Sequence, residues 1–145
     1  ERPTGSRFGS LVHTIFSHVD LTGDVDNLRV VVDRQVRQYG ATSLEREAAY
    51  DVVQRALSHP LMRQAAEASE VRRETPVMFA DDSGELVEGI VDLAFRTEEG
   101  WTVVDFKTDE DVDAQRKVYL GQIRLYVEGV TRATGERVEG ILFAV

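Results

Sequence analysis

Apolar residues recur along the first part of the chain with the spacing of a helix face. Phe8, Leu11, Val12, Ile15, Phe16 and Val19 fall at three- and four-residue intervals. That pattern predicts a helix over residues 7–20, with Thr4 or Ser6 as its cap and Thr22-Gly23-Asp24 as its end. A second helix is predicted over 26–39 and stopped by Gly40. Ser43, ahead of Leu44-Glu45-Arg46-Glu47, reads as the N-cap of a third helix running to about Ser58. Pro60 suits the first turn of a short fourth helix, to about Ala68.

Past residue 70 the pattern changes to runs of β-formers separated by turn residues. Residues 71–80, 86–96 and 101–108 predict three strands, joined at Asp81-Asp82-Ser83-Gly84 and at Thr97-Glu98-Glu99-Gly100. Helical spacing returns over 113–134, with Leu120, Ile123, Val127 and Val130 on one stripe and Gly135 as a C-terminal stop. A last strand is expected over 138–145. Two tight turns make the first three strands antiparallel neighbours. The long helix then crosses over, so that the fourth strand joins in parallel. The expected fold is therefore α+β, a mixed sheet of about four strands with flanking helices, the early ones covering the sheet.

Composition narrows the class. The 145 residues are 42% hydrophobic and 30% charged, the size and balance of one ordinary soluble domain, residues 1–145. No run of 18 apolar residues offers a membrane span, and the residues from Glu1 on do not read as a signal peptide. The start Glu1-Arg2-Pro3 lacks an initiator Met, which is expected of a piece of a longer polypeptide. Cysteine is absent, so disulfides and thiolate-held iron–sulfur clusters are excluded and His and carboxylates are left as the strong metal ligands. The cytoplasm is the expected compartment. A net charge of −9 weighs against a freestanding nucleic-acid enzyme, which normally binds phosphate through a basic surface. A catalytic module can instead receive its strand from a basic neighbour.

Within the strands, Asp92 and Asp105 interrupt segments that otherwise read as buried. Strand alternation sends Asp105 and Lys107 to one face and Val104 and Phe106 to the other, and turns Asp92 away from Val91 and Leu93. Buried carboxylates are costly unless paired or metal-bound, and two that converge repel each other unless a cation lies between them. Of 17 basic residues only Lys107 and Lys117 are lysines, which hints that position 107 needs an ammonium rather than a guanidinium. A lone Asp-x-Lys triplet equally describes an ion pair that closes a strand end.

Four elements taken together carry a resemblance. They are Gly9-Ser10-Leu11-Val12-His13, Gly89-Ile90-Val91-Asp92-Leu93, Asp105-Phe106-Lys107-Thr108-Asp109, and Tyr119-x-x-Gln122-x-x-x-Tyr126. In this order and spacing the chain, from Gly5 to Val145, resembles the RecB-type branch of the PD-(D/E)XK, restriction-endonuclease-like nucleases. It looks most like the C-terminal nuclease domain of AddA-type helicase–nucleases. The resemblance implies that His13, Asp92, Asp105 and the main-chain carbonyl of Phe106 bind Mg²⁺ or Mn²⁺. It also implies that Lys107 positions the attacking water or meets charge at the phosphate, with Gln122 and Tyr126 beside the site. Its implied setting is bacterial DNA recombination and repair. The implied substrate is single-stranded DNA fed by a helicase domain of the same polypeptide. A further implied partner is a second helicase–nuclease subunit.

Other residues have blander readings. His18 and His59 are read as structural. Tyr119, Gln122 and Tyr126 share a helix face and are equally able to pack on the sheet. Glu74 is read as a residue beside the site or on the DNA side, Glu88 as sharing that face or merely exposed at an edge, and Asp109 as a loop cap. No Cys or Ser–His pairing suggests a covalent nucleophile, which leaves direct attack by water. A non-cleaving relative that binds DNA or scaffolds a helicase stays open as the alternative, whereas a purely structural α+β domain with ordinary ion pairs would not explain the complete set.

Overall fold

The computed structural model describes residues 3–108 and 112–145. The backbone gathers into two compact units, the first holding the early helices with Lys107, Thr108 and Val145, the second holding the sheet and the long helix.

The first unit contains α1 (Ser6–His18), α2 (Val25–Tyr39), α3 (Ser43–Ser58) and α4 (Pro60–Glu67). Phe8, Leu11, Val12, Ile15 and Phe16 are all buried, as the stripe requires. They belong to a core with Leu28, Val31 and Val32 of α2 and Val52, Val53, Ala56 and Leu57 of α3. The α1 cap departs from expectation. Gly5 holds the N-cap position at φ 96° with no side-chain cap bond, so neither Thr4 nor Ser6 caps this helix. Asp24 caps α2 by accepting from the Asn27 N–H at 2.9 Å. Gly40 ends α2 in the left-handed region at φ 60°, where a side chain would be strained. Thr42, one residue ahead of the expected Ser43, caps α3. Its hydroxyl accepts from the Glu45 N–H and the Glu45 carboxylate accepts from the Thr42 N–H. This reciprocal box satisfies two otherwise orphaned N–H groups, and one such cap is worth about 1 kcal/mol.

The second unit contains β1 (Glu70–Ala80), β2 (Leu86–Thr97), β3 (Gly100–Lys107), α5 (Val112–Thr134) and β4 (Val138–Ala144). The strands lie in the order β1-β2-β3-β4, and β1–β2 and β2–β3 pair antiparallel. Trp101 N–H donates to the Arg137 carbonyl at the start of β3, and Val145 N–H donates to the Lys107 carbonyl at its end. Both strands therefore run the same way, and the sheet is mixed as expected. Gly100 stands at φ 124°, and a Cβ there would meet the Arg137 oxygen at 2.3 Å. Only glycine allows β4 to approach this corner. Along α5, Ile123 and Val130 are buried while Leu120 and Val127 are half-buried. Val91, Ala94, Trp101, Val103 and Val130 form the core of this unit, with Val77, Tyr126 and Val138 packed on it.

Candidate metal centre

The ladder between β2 and β3 runs from Thr97 opposite Gly100 to Leu93 opposite Val104. Continued by one step, it would set Asp92 against Asp105. At that point a side chain takes over from the main chain: the Phe106 N–H donates to Asp92 Oδ2 at 2.9 Å. One carboxylate oxygen of Asp92 and one of Asp105 lie within 4.8 Å of each other. Asp105 is only 5% exposed, and Asp92 is half-buried. Two negative charges at that separation repel by on the order of 3–4 kcal/mol at an effective dielectric of about 20. A divalent cation would turn this cost into attraction, and hard oxygen donors are what Mg²⁺ and Mn²⁺ take. The donor set fits such an ion.

Strict alternation does not survive passage through Asp92. Val91 and Ala94, three residues apart, belong to one packed cluster and line one cavity, where a regular pleat would send them to opposite faces. The neighbouring strand shows the cause. Arg73 pairs with Leu93 and Thr75 with Val91, which leaves Glu74 opposite Asp92. Glu74 has φ 47°, alone among the described non-glycine residues in being positive. A left-handed residue inside a strand kinks it and costs about 1–3 kcal/mol. The irregularity of the β1 backbone thus falls directly opposite Asp92. Glu74 and Glu88 are both exposed.

The long helix supplies the next layer of this unit. A Cβ on Gly89 would meet Tyr126 Cε1 at 2.4 Å, so the glycine makes the seat on which the Tyr126 ring rests. Gln122 Nε2 donates to the Tyr126 hydroxyl at 3.0 Å. Burial first, and then the negative charges of Asp105 and Asp92, push the Tyr126 hydroxyl above the usual phenol range, against the opposite pull of the Gln122 hydrogen bond. Sequence reasoning gave Gly89 no role of its own; a glycine inside a strand was the available signal of close approach. Phe106 is buried, with its ring edge-on to Phe143 at 6.1 Å between centroids.

Two further residues predicted for the site belong to the first unit. His13 is half-buried on α1, and its Nδ1 lies 2.8 Å from the Gly9 carbonyl. A carbonyl can only accept, so Nδ1 carries the proton and Nε2 of the neutral ring carries the lone pair, the tautomer usual in a ligating histidine. Gly9 has a second use, because a Cβ there would press on the Thr108 hydroxyl at 3.0 Å. Lys107 is half-buried at the end of β3. His18 and His59 bond locally, His18 Nδ1 to the Thr14 carbonyl and His59 Nδ1 from the Leu61 N–H. Asp109 lies outside the described residues. The structure thus brings together Asp92, Asp105, Gln122 and Tyr126 in one unit, with Tyr119 half-buried on the same helix.

The family profile described as the PD-(D/E)XK nuclease superfamily matches residues 1–144. Among similar proteins, an ATP-dependent helicase/nuclease subunit of Heliobacterium modesticaldum is 29% identical over 164 residues, which cover 96% of this chain and 12% of that protein. The protein of the same description from Desulforudis audaxviator is 31% identical, over 95% of this chain and 13% of its own length. That from Anoxybacillus flavithermus is 30% identical, over 88% and 12%. The chain spans about an eighth of these curated relatives. With a match that runs almost end to end, over strands that set two aspartates face to face, the chain belongs to the PD-(D/E)XK nuclease superfamily.

Proposed function

We propose that this chain is the nuclease module of a bacterial helicase–nuclease, hydrolysing phosphodiester bonds of single-stranded DNA with Mg²⁺ or Mn²⁺. The observation that carries the reading is the facing pair of Asp92 and Asp105, one of them buried, within 4.8 Å of each other. In this reading Asp92, Asp105, His13 and the Phe106 carbonyl hold the ion. When bound, it polarises the phosphoryl oxygen and lowers the pKa of a water. The water attacks phosphorus, the bridging P–O bond breaks, and a phosphomonoester and an alcohol result. Lys107 orients that water or meets the developing negative charge. Gln122 and Tyr126 form the wall beside the scissile phosphate. The relatives' description as ATP-dependent helicase/nuclease subunits supports delivery of an unwound strand by a helicase domain of the same polypeptide. A second subunit would be the partner, and cytoplasmic DNA repair the setting.

The test is incubation of labelled single- and double-stranded DNA with the chain and Mg²⁺ or Mn²⁺, beside Asp105→Ala and Lys107→Ala. The wild type should cut the single strand, and either substitution should lower the rate by about a hundredfold or more. Cleavage that survives both substitutions would sink the mechanism. The net charge of −9 favours one rival, a non-cleaving module that binds DNA or scaffolds a helicase. In that case wild type and variants would be equally inert, here and in the full-length parent.

A further inference from the structure

We infer that the outer surface of α5 is the track along which a DNA strand lies against this chain, an inference that rests on the nuclease reading above. Charge is unevenly spread along the second unit. Residues 74–93 carry six acids, Glu74, Asp81, Asp82, Glu85, Glu88 and Asp92, and no base. Residues 114–127 of α5 carry Arg116, Lys117 and Arg124 and no acid. Of the other cations of this unit, Arg72 pairs with Glu70, Arg96 with Glu136 and Arg132 with Glu128, while Arg137, just ahead of β4, is exposed. Arg116, Lys117 and Arg124 are exposed, and no ion pair joins them to an acid among the described residues. In a chain of net charge −9, three such cations on one helix mark where a polyanion is least repelled. Asp109, Glu110, Asp111 and Asp113 precede them in sequence, so the basic stretch begins only at Arg116.

Helical geometry orders the surface outward from the carboxylates. Tyr126 comes first, half-buried with its ring against Gly89 of β2. Val118, Gln122 and Leu125 follow as one stripe, at i, i+4 and i+7. Val118 is 67% exposed and Leu125 41%, an apolar ridge on either side of the Gln122 amide. The next stripe is Lys117, Gly121 and Arg124, and a Cβ on Gly121 would meet nothing within 4 Å. The helix therefore offers an apolar strip beside Tyr126 and a basic strip with a shallow notch beyond it. A single strand has the matching section, with bases and sugars on one side and phosphates on the other. A duplex hides its bases and matches less well.

The experiment is fluorescence anisotropy of a labelled 20-mer of deoxythymidine with this chain in EDTA, over a range of salt. Lys117→Glu/Arg124→Glu should weaken binding at least tenfold and flatten the dependence of log K on log salt by about 1.4, near 0.7 for each phosphate no longer neutralised. A charge-matched control, Arg29→Glu/Arg55→Glu on exposed positions of α2 and α3, should change affinity less than threefold. Val118→Ser/Leu125→Ser should weaken single-strand binding more than duplex binding. Far-UV circular dichroism confirms that each variant is folded. Equal loss in the two charge variants, or no measurable binding by the parent chain, overturns the track. Undiminished binding by Lys117→Glu/Arg124→Glu overturns it too, and assigns the stripe to an acidic protein partner. Cleavage measured in parallel separates this from the nuclease reading. If Asp105→Ala cuts as fast as the parent, that reading fails while anisotropy still decides the track.

Discussion

Asp105 and Asp92 set two carboxylates face to face, and the effect of that pairing on stability is measurable. Replacing Asp105 with Asn removes one of two facing charges and keeps the shape. In EDTA, Asp105→Asn should therefore melt higher than the parent, by an amount on the order of 1–3 kcal/mol, while cleavage is lost. A lower melting temperature in chelator would show that the carboxylate is stabilising without metal. Gly89→Ala is the converse case, since its new methyl would meet the Tyr126 ring at 2.4 Å. Overpacking of this kind costs about 1–3 kcal/mol. The urea midpoint should fall, and the single-turnover rate should fall with it as Tyr126 and Gln122 are displaced. An unchanged rate would remove Tyr126 from the site. Asp92 and Asp105 stand out in the sequence because carboxylates inside otherwise buried strands are unusual, and Lys107 because lysine is scarce in this chain. The left-handed backbone of Glu74 was not, because nothing in a glutamate's own preferences sets φ to 47°. Tertiary context does.

Elements were legible wherever periodicity ran long. The helices and strands lie within one or two residues of their expected bounds, and α5 and β4 follow from period 3.6 giving way to a short β-forming run. Caps were less legible, since Thr42 and Ser43 are both good caps and only the Glu45 reach-back chooses between them. The junction of α5 with β4 is held by Glu136. Its carboxylate accepts from Arg96 at 2.7 Å and from the Trp101 indole at 2.9 Å. Arg96 first, then Trp101, hold its pKa below the usual carboxylate value. A lowered folded pKa contributes stability above the ordinary carboxylate range and loses it as pH falls through the folded value. Glu136→Gln should therefore melt below the parent near pH 7, and the difference should close as pH falls below the ordinary carboxylate range. A gap independent of pH would assign the loss to packing rather than charge.

For the molecule as a whole, ion binding and folding are linked. At a hundred times its dissociation constant, Mg²⁺ should raise stability by about 2.7 kcal/mol, read as a higher melting temperature that Asp92→Asn abolishes. A rise that persists in that variant would mean the ion binds elsewhere. Net charge was legible from composition, but its arrangement was not, because only the folded helix shows Lys117 and Arg124 on one stripe beside Val118 and Leu125. The short turn between β2 and β3 has one more consequence, in time rather than space. Thr97 pairs with Gly100 across a two-residue loop, and hairpins of this kind close in about 1–10 μs. The β3–β4 pairing must wait for the whole of α5. If the hairpin closes before α5 and β4 join, Asp92 and Asp105 would meet before their surroundings are complete, and their repulsion would add to the folding barrier. Mg²⁺ should then speed refolding more than it slows unfolding, so that stopped-flow traces show its effect on the folding arm. An ion held by Asp92 and Asp105 would then assist their assembly as well as stabilise the finished pair.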